Sequence, residues 1–378
     1  MISAKDRVRV FFLSEESFSL FSGDFASSRF GGAGLQMFFL GEEISKDPQF
    51  AVTFVFFNHD IAKLQHDRID FAAPQLPIKR GLPLLSRRSN QGRKARPYIV
   101  EEEKKVLFTT MAYYAKAGLG QAQIAQAKSV FRAASDTDVS MPRHVPQGET
   151  ADTVLDMIAS FDKIVVQSRK QHELLRACRQ KKSIVIPNGI PLNGSICEVE
   201  KEVPKDIILW VGSAQAIKQP WLFVSAAKRF SQENFVMIMP DTSPEISYVV
   251  RDMASSLNNI EIINKQLSYR ETMGYFARSK IFVNTSFQEG FPNTFLQAGA
   301  TKTPIVSWRV DPDEVLVRNE FGLVSGSDNE VLYANIESLL NEKVRREALG
   351  ENAFSYVSGN HSIEFAAEQY KELFRSSL

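Results

Sequence analysis

Short apolar, β-branched or aromatic runs alternate along the chain with longer segments of helical period. The runs at 8–13, 52–57, 105–109, 130–134, 163–166 and 183–186 read as one series of buried strands. A second series follows at 207–211, 235–239, 260–263, 281–284 and 304–306. Helical windows such as 35–44, 169–178 and 221–230 lie between the runs. Strand–helix alternation of this kind predicts parallel sheets covered by helices, and two series predict two doubly wound α/β domains. The break falls near Pro187-Asn188-Gly189, which carries turn chemistry, and the polar stretch up to Pro204 reads as linker. The expected domains are therefore 1–187 and 188–360. The segment 361–378 is an amphipathic helix with Ser362 as N-cap. In it Ile363, Ala366, Ala367, Tyr370, Leu373 and Phe374 recur at three and four residues. That stripe needs an apolar docking surface, expected on the first domain. Ligands of open α/β sheets sit beyond the carboxyl ends of the strands, so a cleft between two facing domains is the expected site.

Composition adds mainly exclusions. A 44% hydrophobic and 24% charged chain is an ordinary globular one, and a net charge of +1 offers no bulk attraction to nucleic acid. The 28 Phe read as core. The two cysteines, Cys178 and Cys197, have no metal-ligand spacing and form no disulfide framework, which fits a reducing cytoplasm. The apolar run before Glu15 is short for a signal peptide, and no run approaches the ~18 apolar residues of a membrane span. Locally the charge is uneven. From Lys79 to Arg96 there are seven Lys or Arg and no acid, among frequent Pro, Gly and Ser. That stretch is either a solvated loop or a surface for an anionic membrane or a phosphate-bearing acceptor.

The most informative stretch runs from Ile281 to Gly322. A buried strand passes into a polar loop, Ser286-Phe-Gln-Glu-Gly-Phe291, and Pro292 is expected at the first position of a helix. The backbone N–H groups of Asn293 and Thr294, at the positive end of the helix dipole, then form an anion site suited to a diphosphate. Gln297 shares their helix face and leans toward the helix start, while Glu289 sits in the loop before it. A carboxylate and a carboxamide would converge there, as recognition of sugar hydroxyls requires. The plain alternative is an ordinary exposed helix.

The segment Glu289-Gly-Phe-Pro-Asn-Thr-Phe-Leu-Gln297-Ala resembles the signature of the retaining glycosyltransferase family 4, a Glu and a second Glu separated by seven residues in an E-G-F-P-x-x-x-L-E-A context. Similar pieces extend along most of the chain. Phe161-Asp-Lys-Ile-Val-Val-Gln-Ser168 followed by Glu173-Leu-Leu resembles the end of the family's first domain, and Val185-Ile-Pro-Asn-Gly189 its interdomain crossing. Trp210-Val-Gly212 with Lys218 resembles the start of its second domain. The resemblance implies a GT-B fold, two Rossmann-like domains with the donor held mostly by the second. It implies that Glu289 contacts the transferred sugar near the reacting centre, that Gln297 holds the nucleotide ribose, and that Lys218 neutralises the donor diphosphate. Gly212, Ser213, Gly290 and Phe291 adjoin these positions and complete the expected donor site in this domain. Two departures reduce charge: Gln297 stands where the family has Glu, and Ser213 where it often has Arg.

In the first domain, Gly31-Gly32-Ala33-Gly34 precedes a helical window, and the family has a similar glycine-rich loop facing the donor phosphates. Gly32 and Gly34 are therefore expected at the donor, with a structural turn as the alternative. Ser135-Asp136-Thr137-Asp138 follows a strand. Asp136 or Asp138 would orient or deprotonate the acceptor hydroxyl, or simply cap a helix. The Asp-x-Asp spacing also resembles the metal-binding signature of the other large glycosyltransferase fold, against which the two-domain layout argues. Arg143 and His144 are candidates for an acceptor phosphate.

The resulting expectation is a cytoplasmic retaining hexosyltransferase, either free or peripheral on the membrane's inner face. It would use a nucleotide-diphosphate sugar, with uridine as default base, and a saccharide or lipid-linked acceptor of polysaccharide biosynthesis. No metal or other cofactor and no nucleic acid is implied. A nucleotide-sugar epimerase of the same fold and a non-catalytic partner of a polysaccharide enzyme are the alternatives.

Overall fold

The computed structural model describes residues 7–25, 30–57, 59–74, 104–142, 145–192 and 203–378. The basic stretch from Lys79 to Arg96, Arg143, His144 and Cys197 lie outside the described residues. The chain divides into two compact units, Met1–Gly189 with Ile363–Leu378 (unit 1) and Ile190–Ser362 (unit 2).

Unit 1 is built on β1 (Val8–Leu13), β2 (Phe50–Val55), β3 (Ile69–Ala72), β4 (Lys104–Thr110), β5 (Lys128–Arg132), β6 (Lys163–Val166) and β7 (Ile184–Val185). Among the described residues these form a seven-stranded sheet in the order β3-β2-β1-β4-β5-β6-β7, every pair parallel. Its central strands are buried on both faces, which is why they read as continuous apolar runs rather than alternating ones. Phe12 stacks on Phe54 at 4.9 Å and meets Phe108 edge-on at 5.3 Å. All three rings are fully buried, each stabilising the fold by about 1.5–3 kcal/mol relative to exposure. The strand expected over 130–134 stops at Arg132, because the N–H groups of Ala134 (2.7 Å) and Ser135 (3.1 Å) turn to the Asp138 carboxylate.

The helix Ile363–Ser376 belongs to unit 1 and packs along the helix Gly32–Ile44. Tyr370 and Phe374 of its apolar stripe reach Phe108 at 5.1 and 5.5 Å between ring centres. At its end Lys371 and Arg375 lie 3.5 and 3.4 Å from Asp47. The docking surface expected from the periodicity is thus the face of the first sheet.

Unit 2 repeats the plan with β8 (Ile207–Val211), β9 (Asn234–Ile238), β10 (Ile260–Ile263), β11 (Ser279–Asn284), β12 (Ile305–Ser307) and β13 (Gly322–Val324). Among the described residues they make a six-stranded parallel sheet in the order β10-β9-β8-β11-β12-β13. Its core joins Ile208, Trp210, Phe235, Met237, Ile281 and Val283 of the strands to Phe223, Leu332 and Ile336 of the covering helices. Ser268 and Glu271 form a capping box that starts the helix Tyr269–Arg278, and Ser243 caps the helix Pro244–Ala254.

Each strand order reverses once, between β1 and β4 in unit 1 and between β8 and β11 in unit 2. The crevice beyond the carboxyl ends of the strands at such a reversal is where open α/β sheets bind ligands.

Candidate active site

In unit 2 the reversal brings together the loops that follow β8 and β11. Beyond β8, Gly212 passes so close to the Trp210 indole that a Cβ there would lie 2.8 Å from the ring. The chain then forms a short 3-10 turn, Ala216–Lys218, reverses through Gln219 in the left-handed region (φ 46°) and enters the helix Pro220–Arg229. Thr285, just past β11, ties the two loops. Its hydroxyl accepts from Trp210 Nε1 (2.8 Å) and donates to the Lys218 carbonyl (2.6 Å). The Phe287 N–H donates to the Ile217 carbonyl (2.8 Å), and Gln219 Nε2 to the Thr285 carbonyl (3.0 Å). The main chain of Lys218 is therefore held by the same loop that carries Glu289.

The two side chains meet. Lys218 Nζ lies 2.7 Å from Glu289 Oε2, with the side chains 22% and 16% exposed. Glu289 Oε1 accepts from Ser286 Oγ (2.7 Å) and from Asn284 Nδ2 (3.3 Å). Burial pushes the carboxyl pKa up. The Lys218 charge and the hydrogen bonds from Lys218, Ser286 and Asn284 outweigh it, leaving Glu289 below its ordinary value and ionised at neutral pH.

The helix Asn293–Ala300 begins directly after this loop. The sequence places Pro292 first inside the helix, whereas the structure makes it the N-cap, with φ −65° and ψ 124°. The ring's fixed φ suits extended and helical backbone alike, and here ψ is extended. The N-cap makes no side-chain hydrogen bond to the helix start. Thr294, second in the helix, has a backbone N–H without an intrahelical acceptor, as at any α-helix start, and the dipole there favours an anion. Gln297 is 5% exposed, and its backbone carbonyl accepts from Thr301 Oγ1 (3.1 Å). Its carboxamide makes no hydrogen bond with a described residue. Gly290 is buried in the turn before the helix, and Ser213, half-buried, uses its carbonyl to accept from the Gln215 N–H (2.8 Å). The Phe291 ring is buried and packs 4.8 Å from the His361 ring, so this expected donor contact is employed in packing.

In unit 1 the equivalent crevice is filled differently. The sequence gives Gly32 and Gly34 to donor phosphates. In the structure the start of the helix Gly32–Ile44 faces a carboxylate of its own chain: Glu16 Oε2 accepts from the N–H groups of Gly31 (3.3 Å) and Gly34 (3.4 Å). A Cβ on Gly34 would stand 2.6 Å from Glu16 Cβ and 2.8 Å from its carbonyl carbon, so glycine here serves the approach of Glu16. Asp138 is likewise committed to the main chain. Besides Ala134 and Ser135 it accepts from the Ala112 N–H (3.2 Å), and it completes a capping box with Ser135. Asp136 is buried between Lys170 Nζ (2.6 Å) and Gln171 Nε2 (3.2 Å). The capping role weighed for this pair from the sequence is the one the geometry displays at Asp138. Burial pushes the carboxyls of Glu16 and Asp138 above their ordinary values despite the amide bonds each accepts. Burial, with Glu16 and Glu15 beside it, raises the Tyr114 hydroxyl in the same way. Among the described residues no group of three or more His, Cys, Asp or Glu is placed to hold a metal ion.

Sequence reasoning missed Asn284, Thr285 and Ser286, three polar residues ending an apolar strand next to Glu289. That break in polarity was the available signal. It also missed Glu16, which nothing in its local pattern distinguishes from a surface acid.

Residues 205–342 match the family model described as glycosyl transferases group 1. Over 110 residues the chain is 24% identical to the capsular polysaccharide biosynthesis glycosyltransferase CapM of Staphylococcus aureus, a match that covers 29% of this chain and 29% of CapM. The chain thus spans less than a third of that relative's length. Among solved structures, sucrose-phosphate synthase from Thermosynechococcus elongatus superposes with a TM-score of 0.74 at 18% identity, covering 98% of this chain and 99% of that one. Anabaena Alr3699/HepE in complex with UDP and glucose does so with a TM-score of 0.71 at 14% identity, covering 97% and 99%. At these identities the likeness shows the fold: two parallel-sheet, Rossmann-like α/β units of GT-B type. The group 1 match itself falls within unit 2, over residues 205–342.

Proposed function

We propose that the chain is a retaining glycosyltransferase of the family 4 kind. It transfers a hexose from a nucleotide-diphosphate sugar, uridine being the default base, to a saccharide or lipid-linked acceptor in polysaccharide biosynthesis. One observation carries this reading: Glu289 is paired with Lys218 and hydrogen-bonded by Ser286 and Asn284 in the loop that leads directly into the helix Asn293–Ala300. The group 1 match over this unit, the capsular polysaccharide relative and the UDP and glucose of the HepE structure support it.

In this reading the diphosphate lies at the start of the helix Asn293–Ala300, with Lys218 beside it. The bond from the anomeric carbon to the diphosphate breaks as the bond to the acceptor oxygen forms on the same face. The acceptor's proton passes to the departing phosphate oxygen. Negative charge grows on the leaving group, and fixed donors aimed at it lower the barrier without reorganising. Glu289 accepts from the sugar's hydroxyls and faces the positive charge of the breaking bond. Gln297, buried and with no carboxamide partner among the described residues, takes the ribose hydroxyls. Transfer needs no metal or cofactor in this scheme, and Asp136 and Asp138 stay with the fold. The enzyme works in the cytoplasm, with the basic stretch from Lys79 to Arg96 available to an anionic membrane face. Among the described residues no helix is long and apolar enough to cross a membrane.

The test is release of nucleoside diphosphate from a panel of nucleotide sugars, with and without oligosaccharide acceptor, by the full chain and by Glu289→Gln. Acceptor-dependent release that the variant loses is the expected result. Unchanged release by the variant removes Glu289 from the mechanism, and an epimerised sugar formed from donor alone makes the chain an epimerase.

A further inference from the structure

A diphosphate carries more charge than Lys218 neutralises, because the Lys218 ammonium is already 2.7 Å from the Glu289 carboxylate and the pair is close to neutral from outside. A second cation is needed at the same edge of the sheet. β11 and β12 are parallel neighbours, so the loops that follow them open on the same side. Trp308 and Arg309 follow β12 directly. The Trp308 N–H donates to the Asn284 carbonyl (2.8 Å), and the Asn284 carboxamide donates to Glu289. The Arg309 guanidinium lies over the ring of Phe287, 4.2 Å from its centre. Phe287 stands two residues before Glu289 and is 44% exposed, with the Trp308 ring 6.4 Å away. Arg309 is exposed, and this ring contact is its one recorded interaction, with no carboxylate in hydrogen-bond or ion-pair reach among the described residues.

A guanidinium over an aromatic ring engages it through its charge and keeps its fork of N–H donors for another partner. That is the fork which pairs two phosphate oxygens at once. We propose that Arg309, held over the Phe287 ring, is the second cation of the donor site and grips the diphosphate together with Lys218. It thereby fills the charge that Ser213 does not supply. The inference rests on the reading of unit 2 as the nucleotide-diphosphate-sugar unit.

The experiment is calorimetric titration of the full-length protein with a nucleoside, its monophosphate and its diphosphate. The base is whichever of uridine, guanosine or adenosine diphosphate raises the melting temperature. Arg309→Ala should weaken the diphosphate by about tenfold to a hundredfold while changing the nucleoside by less than about twofold. Arg309→Lys should recover only part of the loss, because an ammonium restores the charge without the fork. Phe287→Leu should lose about twofold to fivefold on the diphosphate by releasing the stack. Arg309 is exposed, so all three variants should melt with the wild type. Diphosphate affinity unchanged in Arg309→Ala overturns the proposal, as does an equal loss on nucleoside and diphosphate. If the wild type binds none of the three diphosphates, the donor reading itself falls and takes this one with it. If the wild type binds and the variant is indifferent, only the role of Arg309 falls.

Discussion

Beyond β1 and beyond β8, the same sheet topology produces two unlike surfaces. In unit 1 two of the acids near the reversal are bound to main-chain amides, Glu16 by Gly31 and Gly34 and Asp138 by Ala112, Ala134 and Ser135, while Asp136 is held by Lys170 and Gln171. In unit 2 Glu289 is bound only by side chains, those of Lys218, Ser286 and Asn284. Pro292, the N-cap of the helix beside it, makes no side-chain cap, and the carboxamide of the buried Gln297 has no partner among the described residues. An acid that satisfies backbone amides cannot leave without orphaning them, which costs about 1–3 kcal/mol per buried donor. An acid held by a hydroxyl, a carboxamide and an ammonium can exchange partners through side-chain rotation alone. The first arrangement builds a fold, and the second builds a site that can accept a ligand.

The comparison can be broken most sharply by paired carboxamide substitutions. Glu289→Gln should lower turnover by about a hundredfold to a thousandfold. Its affinity for nucleoside diphosphate should hold or tighten, because Lys218 loses its competing carboxylate. Glu16→Gln should leave turnover within about threefold, since its partners are the amides of one loop. Equal losses from the two variants, measured as nucleoside diphosphate release, would end the distinction.

Next in size is a stability effect on the other side. Asp138→Ala orphans three backbone donors and should lower unfolding free energy by about 2–4 kcal/mol, read by urea denaturation, with donor affinity retained.

The two edges should also respond to pH with opposite sign. Glu289 sits below its ordinary 4.5, so the stability it contributes is present above that value and is lost as pH falls through its lowered pKa. Glu16 sits above 4.5, so its ionised form costs stability, and that cost disappears as pH falls through its raised pKa toward 4.5. Unfolding free energy measured against pH should show wild type losing ground to Glu289→Gln in acid and gaining on Glu16→Gln. Parallel trends would mean that the two carboxylates share one kind of environment.

The smallest effect is expected at Gln297. Removing its carboxamide in Gln297→Ala should weaken nucleoside diphosphate about twofold to tenfold, the worth of one or two neutral hydrogen bonds. A diphosphate affinity equal to wild type would show that the buried amide has no ligand to serve.

Much of the fold was legible because parallel strands covered on both faces announce themselves as unbroken apolar runs, as in β1 and β2. β3 and β13 were missed for the converse reason. Ile69-Asp-Phe-Ala72 is a partly exposed edge strand, and Gly322-Leu-Val324 is three residues opening on glycine. The loop before the helix Asn293–Ala300 was readable from Pro292 and its neighbours, with the boundary one residue off because proline suits both sides of it. The ion pair between Lys218 and Glu289 was not readable from spacing, since it depends on β8 and β11 being neighbours across the reversal. The same holds for Glu16, which lies fifteen residues from Gly31. A glycine-rich helix start is satisfied equally by a phosphate or by a carboxylate of its own chain, and the local sequence is the same in both cases.

The measurement that bears most directly on the site is amide hydrogen exchange of the full chain with and without a nucleoside diphosphate that raises its melting temperature. New protection is expected at Gly290–Gln297 and Gly212–Gln219, with the amides of Gly31–Leu35 unchanged because Glu16 already holds those of Gly31 and Gly34. Protection that appears at Gly31–Leu35 and is absent at Gly290–Gln297 would contradict this expectation.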